Sequence, residues 1–248
     1  MKDIELNIAR SAKCNTALFT PTITAKVTNS FTKKGDFCRV MKHQLIVNKT
    51  AHYYYEPAIG SSKGVVLAVH GYAQLAVEFS DNFKELPVKG YELYVPEALS
   101  KFYNKERQPV ASWMTSYERE DEISDYINYL ETLMQLIIQK NVASPIHLIG
   151  FSQGVSTLLR WYASSKLKAA TVHLIAGSIP EELSSNDIKQ LIADKYFYYH
   201  GTKDRLVKED QVNKYLGQLA AIGIDYEKVN FEGRHEVPME LIKVFTTL

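Results

Sequence analysis

Ile146-His147-Leu148-Ile149-Gly150-Phe151-Ser152-Gln153-Gly154-Val155 decides how the chain is read. Ile146–Ile149 is a short apolar run rich in β-formers. Gly150 and Gly154 bracket the next five residues, and Gln153–Ser165 then carries a helical pattern. A strand that gives way to a helix within a few residues is one unit of an alternating β/α fold.

The pattern repeats on both sides. Val65–Val69, Thr171–Ala176 and Tyr196–Tyr199 are further apolar runs, each followed within two residues by Gly71, Gly177 or Gly201, and Tyr91–Val95 is a fifth. Near-continuous apolar strands imply burial on both faces, hence a parallel sheet. Asp225–Phe231 reads as a last strand. Between the strands, Ile123, Ile127, Leu130, Met134 and Ile137 fall on one face of a long helix. Thr115 or Ser116 is placed to cap it, and Glu118–Glu122 is an acidic start that the helix dipole favours. Ser184–Ile192, Lys208–Ala221 and Pro238–Thr247 read as further helices. The expectation is an α/β fold of three layers: a mostly parallel sheet with helices on both faces and no large cap domain.

Upstream, His43–Val47 and Ala51–Glu56 flank Asn48-Lys49-Thr50 as a hairpin would. Residues 1–40 differ from the rest. Ala17, Phe19, Ile23, Ala25 and Val27 suit a two-period strand interrupted by Pro21, and Lys33–Asp36 reads as a turn. The expected organisation is an extension over 1–40 and a single domain over 41–248.

Composition excludes several classes. Of 248 residues, 12 are Gly and 8 Pro with 46% hydrophobic, which excludes collagen, coiled coil and disorder. Lys plus Arg is 29 against 28 Asp plus Glu, a formal charge of +1. That balance gives no reason to expect nucleic acid or an anionic membrane as partner. The only cysteines, Cys14 and Cys38, are read as free thiols, with no CxxC for zinc or redox work. The first twenty residues hold Lys2, Asp3, Glu5, Arg10 and Lys13 and no apolar core of a signal peptide, and no stretch approaches a membrane span. A cytoplasmic protein without stable membrane insertion, monomer or homodimer, is expected.

The chemistry-bearing residues follow the C-terminal ends of the apolar strands, where open parallel sheets bind ligands. Gly-Phe-Ser-Gln-Gly at 150–154 has the setting of a nucleophile elbow. The sharp reversal holds the serine in a strained conformation, flanking glycines leave room, and Oγ stands at a helix N-terminus. Ser152 is therefore the candidate nucleophile. It needs a base, and the base a carboxylate, in the chain order Ser, Asp or Glu, His. His235, in Glu232-Gly233-Arg234-His235-Glu236 before the last helix, is the candidate base. His173 lies inside a strand and reads as a core histidine, and His200 as shaping the next loop. Asp204, directly after a strand, is the candidate acid, ahead of Asp187 and Asp210 in helical sequence. An oxyanion hole needs two backbone N–H groups. Gln153 supplies one; Tyr72, in His70-Gly71-Tyr72-Ala73-Gln74, is the candidate for the second, with His70 steadying that loop.

Taken together, the His-Gly at 70–71, Gly-Phe-Ser-Gln-Gly at 150–154, His-Gly-x-x-Asp at 200–204 and Gly-x-His-Glu at 233–236 resemble the α/β-hydrolase superfamily. Within it the chain is similar to the phospholipase/carboxylesterase group that includes acyl-protein thioesterases, over about residues 64–248. The resemblance implies the same Ser152, Asp204 and His235, a short fold largely without a lid, and a pocket-lining role for Ser112-Trp113. Val155 replaces a glycine frequent in that group, and Gly-Tyr-Ala-Gln stands where Gly-x-Gly-Asp is usual. The expected activity is hydrolysis of a small-molecule carboxylic ester or thioester through an acyl-enzyme, with no metal or organic cofactor. The alternatives are a peptidase or amidase with the same triad, and a catalytically idle binding module.

The pocket is expected from segments 96–114 and 177–183, with Phe102, Tyr103, Trp113 and Ile179 lining an apolar site for an acyl or aryl group. The remaining aromatic surplus, 16 Tyr, 10 Phe and 2 Trp in all, reads as core and sheet packing.

Overall fold

The structure is a computed structural model that describes residues 41–141, 144–183, 190–221 and 223–247. The chain divides into two units, Met1–Thr50 and Ala51–Leu248. In the first, residues 41–50 form neither helix nor strand. The expected strand over 17–27, the turn at 33–36 and both cysteines lie outside the described residues, as does most of the expected helix 184–192.

The second unit is built on a seven-stranded sheet. Its strands are β1 (Tyr53–Glu56), β2 (Gly64–Val69), β3 (Tyr91–Pro96), β6 (Ile146–Phe151), β7 (Lys168–Ile175), β8 (Ile192–Gly201) and β9 (Tyr226–Phe231). A separate hairpin holds β4 (Ser100–Tyr103) and β5 (Pro109–Ser112). The sheet order is β1-β3-β2-β6-β7-β8-β9, parallel except for β1, which pairs antiparallel with β3 at the edge. Two expectations are corrected here. Tyr53–Glu56 pairs with Tyr91–Pro96 rather than folding back on His43–Val47, because a buried apolar partner outweighs a local turn. Ile192 opens the long strand β8 instead of ending a helix.

The helices are α1 (Ala76–Ser80), α2 (Glu85–Val88), α3 (Arg119–Lys140), α4 (Gln153–Ser164), α5 (Glu209–Ala221) and α6 (Met239–Thr247). Strand alternation sorts the core into two layers. On one face Val65, Leu67, Val69, Leu148, Val172, Leu174 and Tyr198 pack with α3, α4 and α5. On the other, Val66, Ala68, Ile149, Phe151, Phe197 and Tyr199 pack with α1, α2 and α6. The four consecutive aromatics Tyr196–Tyr199 are all buried, two to each layer. The helix α3 buries Ile123, Leu130, Met134 and Ile137, with Tyr126 and Leu133 completing its face. Its start is not capped by Thr115 or Ser116. Glu118 precedes it at φ 53°, and Thr115 instead hydrogen-bonds Glu122 through N–H and hydroxyl. Among the described residues no helix is long and apolar enough to cross a membrane.

His173 is a core histidine. Thr171 Oγ1 lies 2.8 Å from His147 Nδ1 and 2.8 Å from His173 Nε2, and the Tyr199 hydroxyl 3.0 Å from His173 Nδ1. This polar thread is enclosed by Phe197 and Phe245. Burial pushes the His147 pKa down to about 4 and that of His173 to about 3.

Candidate active site

The central strand β6 ends at Phe151, and Ser152 turns the chain into α4 at φ 53°, ψ −118°. A non-glycine residue at positive φ is strained and persists only where its surroundings over-determine it. Here Ser152 N–H donates to the Ile175 carbonyl on β7 at 2.9 Å, and its own carbonyl accepts Val155 N–H at 3.0 Å. Gly154 completes the turn because nothing larger fits. A Cβ there would lie 2.2 Å from the Val69 carbonyl oxygen and 2.6 Å from that of His70.

Asp204 follows β8 in a tight turn, its N–H bonded to the Gly201 carbonyl at 2.9 Å. Oδ1 accepts the N–H groups of Leu206 at 2.7 Å and Val207 at 3.0 Å, and the side chain is wholly buried. Burial alone would raise its pKa. The Val207 N–H, the His235 ring and the Leu206 N–H outweigh that and hold the carboxyl below its ordinary value. His200 braces the same turn, with Nε2 3.1 Å from the Val207 carbonyl.

His235 follows β9 on a loop laced to the Asp204 turn. Thr202 N–H donates to the Phe231 carbonyl at 2.9 Å and Lys203 N–H to the Gly233 carbonyl at 2.8 Å. Gly201 permits this approach, since a Cβ there would come within 2.3 Å of the Arg234 carbonyl oxygen. Glu236 turns back to accept Arg234 N–H, away from the site.

The three loops bring their side chains together. His235 Nδ1 lies 2.8 Å from Asp204 Oδ2, and His235 Nε2 lies 2.9 Å from Ser152 Oγ. An ionised carboxylate only accepts, so Nδ1 carries the proton and Nε2 is free to accept from the serine hydroxyl. Asp210 lies on α5 and Asp187 falls outside the described residues.

The N–H of Gln153, first residue of α4, has no acceptor within the helix. That of Tyr72 makes no hydrogen bond among the described residues. The loop carrying Tyr72 is fastened on all sides. Gly71 N–H donates to Gln74 Oε1 at 2.8 Å and Ala73 N–H to the Ala111 carbonyl at 2.9 Å. The buried His70 lies with Nδ1 2.7 Å from the Gly71 carbonyl, and its Nε2 accepts Ala98 N–H at 3.1 Å. Ala98 N–H can only donate, so the ring proton sits on Nδ1 and His70 is neutral. Burial holds its pKa near 4.

An open groove of about 740 Å³ runs over Ser152 and His235. Its walls include Tyr72, Met114, Ser156, Arg119, Arg160, Leu206, Val207 and Tyr215. None of the four pocket residues expected from sequence lines it. Trp113 is 1% exposed and packs in the core, where its indole N–H donates to the His70 carbonyl at 2.9 Å and its backbone N–H to Gln153 Oε1 at 3.1 Å. Ile179 is buried in the same layer. Phe102 backs the Tyr72 ring at 5.5 Å, and Tyr103 faces solvent. The wall is thus also more polar than expected. The Gln153 side chain has a further part that the sequence did not suggest: its Nε2–H donates to the Met114 carbonyl at 2.9 Å, tying α4 to the segment after β5. Among the described residues no cluster of three or more His, Cys, Asp or Glu could hold a metal ion.

The family model for phospholipase/carboxylesterase matches residues 56–247. Among solved structures the chain is similar to esterase PE8, with TM-score 0.63 and 16% identity over 80% of this chain and 98% of that one. It is similar to an acyl-protein thioesterase 2 from Zea mays, with TM-score 0.61 and 17% identity over 80% and 97%. It is also similar to a phospholipase/carboxylesterase from Dyadobacter fermentans, with TM-score 0.58 and 18% identity over 82% and 97%. At these identities the likeness establishes the fold. No curated protein matches the chain. With the family model spanning the six parallel strands of the sheet and all three loops at its edge, the chain belongs to the phospholipase/carboxylesterase family of α/β-hydrolases.

Proposed function

We propose that the protein hydrolyses carboxylic esters or thioesters through an acyl-enzyme on Ser152. The observation that carries this reading is the His235 ring held between Ser152 Oγ at 2.9 Å and Asp204 Oδ2 at 2.8 Å, at the floor of an open groove. Nε2 takes the hydroxyl proton as Oγ attacks the substrate carbonyl carbon. The resulting oxyanion is held by the N–H groups of Gln153 and Tyr72. Collapse breaks the bond to the alcohol or thiol, which leaves with the proton from Nε2. Water then gives a proton to Nε2 and attacks the acyl carbon. Release of the carboxylic acid restores Ser152. Asp204 keeps the imidazole in the right tautomer and stabilises the imidazolium.

The chemistry is assigned to residues 41–248 as one α/β-hydrolase domain, with 1–40 an extension outside it. The reading carries with it a cytoplasmic monomer or homodimer that acts on a small-molecule substrate. A fluorophosphonate probe should label Ser152 covalently, and Ser152→Ala should abolish both labelling and turnover of p-nitrophenyl esters. Full esterase activity in that variant would overturn the assignment. A series of p-nitrophenyl esters, an acyl-thioester, a lysophospholipid and a matched amide would fix the substrate class.

A further inference from the structure

The groove has an uneven charge. Gln153, Ser156 and Arg160 stand at i, i+3 and i+7 on one face of α4, and all three border the groove. At 1.5 Å per residue, the Arg160 Cα lies about 10 Å along the helix from that of Gln153, next to the reacting serine. Arg119 borders the groove as well, and among the described residues no Asp or Glu does.

The carboxylates that balance these cations lie behind them. Glu182 accepts Arg160 Nε–H at 2.6 Å and also binds Arg119 Nη2, while Glu120 binds Arg119 Nη1. Glu120 and Glu182 line a different depression, with Ile123, Ile127 and Leu183, on the far side of Arg160. They pin the guanidinium groups from the back and leave the groove wall cationic. On the groove side, Arg160 Nη1 has as its partner the Met114 sulfur at 3.8 Å. A thioether is a weak acceptor, and a largely buried guanidinium can offer five N–H donors. A planar cation so placed matches a carboxylate or phosphate.

We infer that the natural substrate is an ester or thioester carrying a second, oxyanionic group (a carboxylate or a phosphate) that Arg160 and Arg119 bind along the groove from the scissile carbonyl. This rests on the proposal that Ser152 is the nucleophile.

The experiment compares two matched arms. On the acyl side, mono-p-nitrophenyl esters of dicarboxylic acids from glutaric to dodecanedioic are set against the methyl-terminated esters of equal length. On the leaving-group side, the acetyl ester of an ω-hydroxyalkyl phosphate is set against the plain alkyl acetate. In at least one arm kcat/KM should favour the anionic member by about tenfold or more at low salt, chiefly through KM. The preference should peak at one chain length and shrink as ionic strength rises. The arm that shows it distinguishes an acyl-side carboxylate from a leaving-group phosphate. Arg160→Gln and Arg119→Gln should each bring the ratio towards unity, and a ratio within one preparation cancels any loss of folded protein. Equal or poorer turnover of the anionic member in both arms, or a preference untouched in both variants, would overturn the inference while leaving an esterase. Failure of the probe to label Ser152, with no ester turned over, would overturn the nucleophile and this inference with it.

Discussion

Replacing Asp204 by Asn probes the tautomer argument with the smallest change of shape. Oδ1 is fixed by two backbone donors, the N–H groups of Leu206 at 2.7 Å and Val207 at 3.0 Å. An asparagine must set its carbonyl oxygen there, because an NH2 group facing two N–H donors would leave three buried donors in conflict. Its NH2 then occupies the Oδ2 position, 2.8 Å from His235 Nδ1. Donating to Nδ1 drives the imidazole proton to Nε2, which then points a proton at Ser152 Oγ and can no longer accept one. The barrier should rise by what a wrong tautomer costs in the Ser-His-Asp template, about 10⁴ in kcat, or roughly 5.5 kcal/mol. The assay is steady-state hydrolysis of a p-nitrophenyl ester at pH 7.5 together with the rate of fluorophosphonate labelling; both should fall in parallel, since both need the same proton transfer. Thermal unfolding establishes that the variant is folded. A folded Asp204→Asn protein within about tenfold of wild-type kcat would mean that Asp204 does not set the His235 tautomer. It would also send the search for the acid elsewhere.

Three further outcomes follow from named contacts. His70→Phe removes the group that holds the Gly71 carbonyl; that carbonyl and Tyr72 N–H are opposite ends of one planar peptide, so the oxyanion donor loses its aim. The variant should lose about 10²-fold in kcat with little change in KM, and an unchanged kcat would refute the link. Gly154→Ala should prevent folding, because its methyl group would meet the Val69 and His70 carbonyls at 2.2 and 2.6 Å. A soluble variant melting within about 3 °C of wild type would sink that claim. Finally, His70 and His147 titrate near pH 4 and His173 near pH 3 in the folded protein. The unfolded chain binds their protons at about pH 6.5. Below that pH the unfolded state holds more protons, so stability must fall as pH drops from about 6.5 to 4, by up to about 4 kcal/mol per pH unit for three sites. Urea midpoints at pH 8, 7, 6 and 5 test this, and a flat profile from 7 to 5 would contradict it. Asp204, with its depressed pKa, adds a further loss that begins where the unfolded chain's carboxyl takes up its proton, at about pH 4, and is complete only below its own lower folded-state value.

The sheet was legible wherever the apolar run was unbroken. Val65–Val69 and Ile146–Ile149 are buried on both faces, so each side chain reports the same environment and the period is unmistakable. The edges were less so. Tyr53–Glu56 is the strand that Ala51–Glu56 led one to expect, but its partner is β3, forty residues on, which its exposed side chains do not signal. The polar start of β8, Ile192–Lys195, carries no apolar run, so the sequence marks that strand only from Tyr196 and leaves Ile192 at the end of the expected helix. Glu118 at φ 53° gives no sequence signal at all, since glutamate is a common helix starter in the ordinary conformation.

The residues of the proposed triad and the residues of the groove were legible to different degrees for one physical reason. Ser152, Asp204 and His235 sit on turns that geometry confines to a strand end, so strand prediction nearly fixes where they meet. A pocket wall is assembled instead from side chains whose direction depends on long-range packing. Apolar content selected Trp113 and Ile179, but large apolar residues are the first to be drawn into the core. Both are buried, and Trp113 acts on the site from behind, through its bonds to His70 and Gln153. The residues left to face the groove are those the core rejects. Arg160 stands on a helix that is otherwise apolar toward the sheet, and Arg119 opens the neighbouring helix. A whole-chain charge near zero concealed this, because Glu182 and Glu120 cancel the two arginines in the sum while lying on the opposite side of them. For a substrate entering the groove, which cation it meets first matters more than the total, since the local field falls off within about 10 Å in physiological salt.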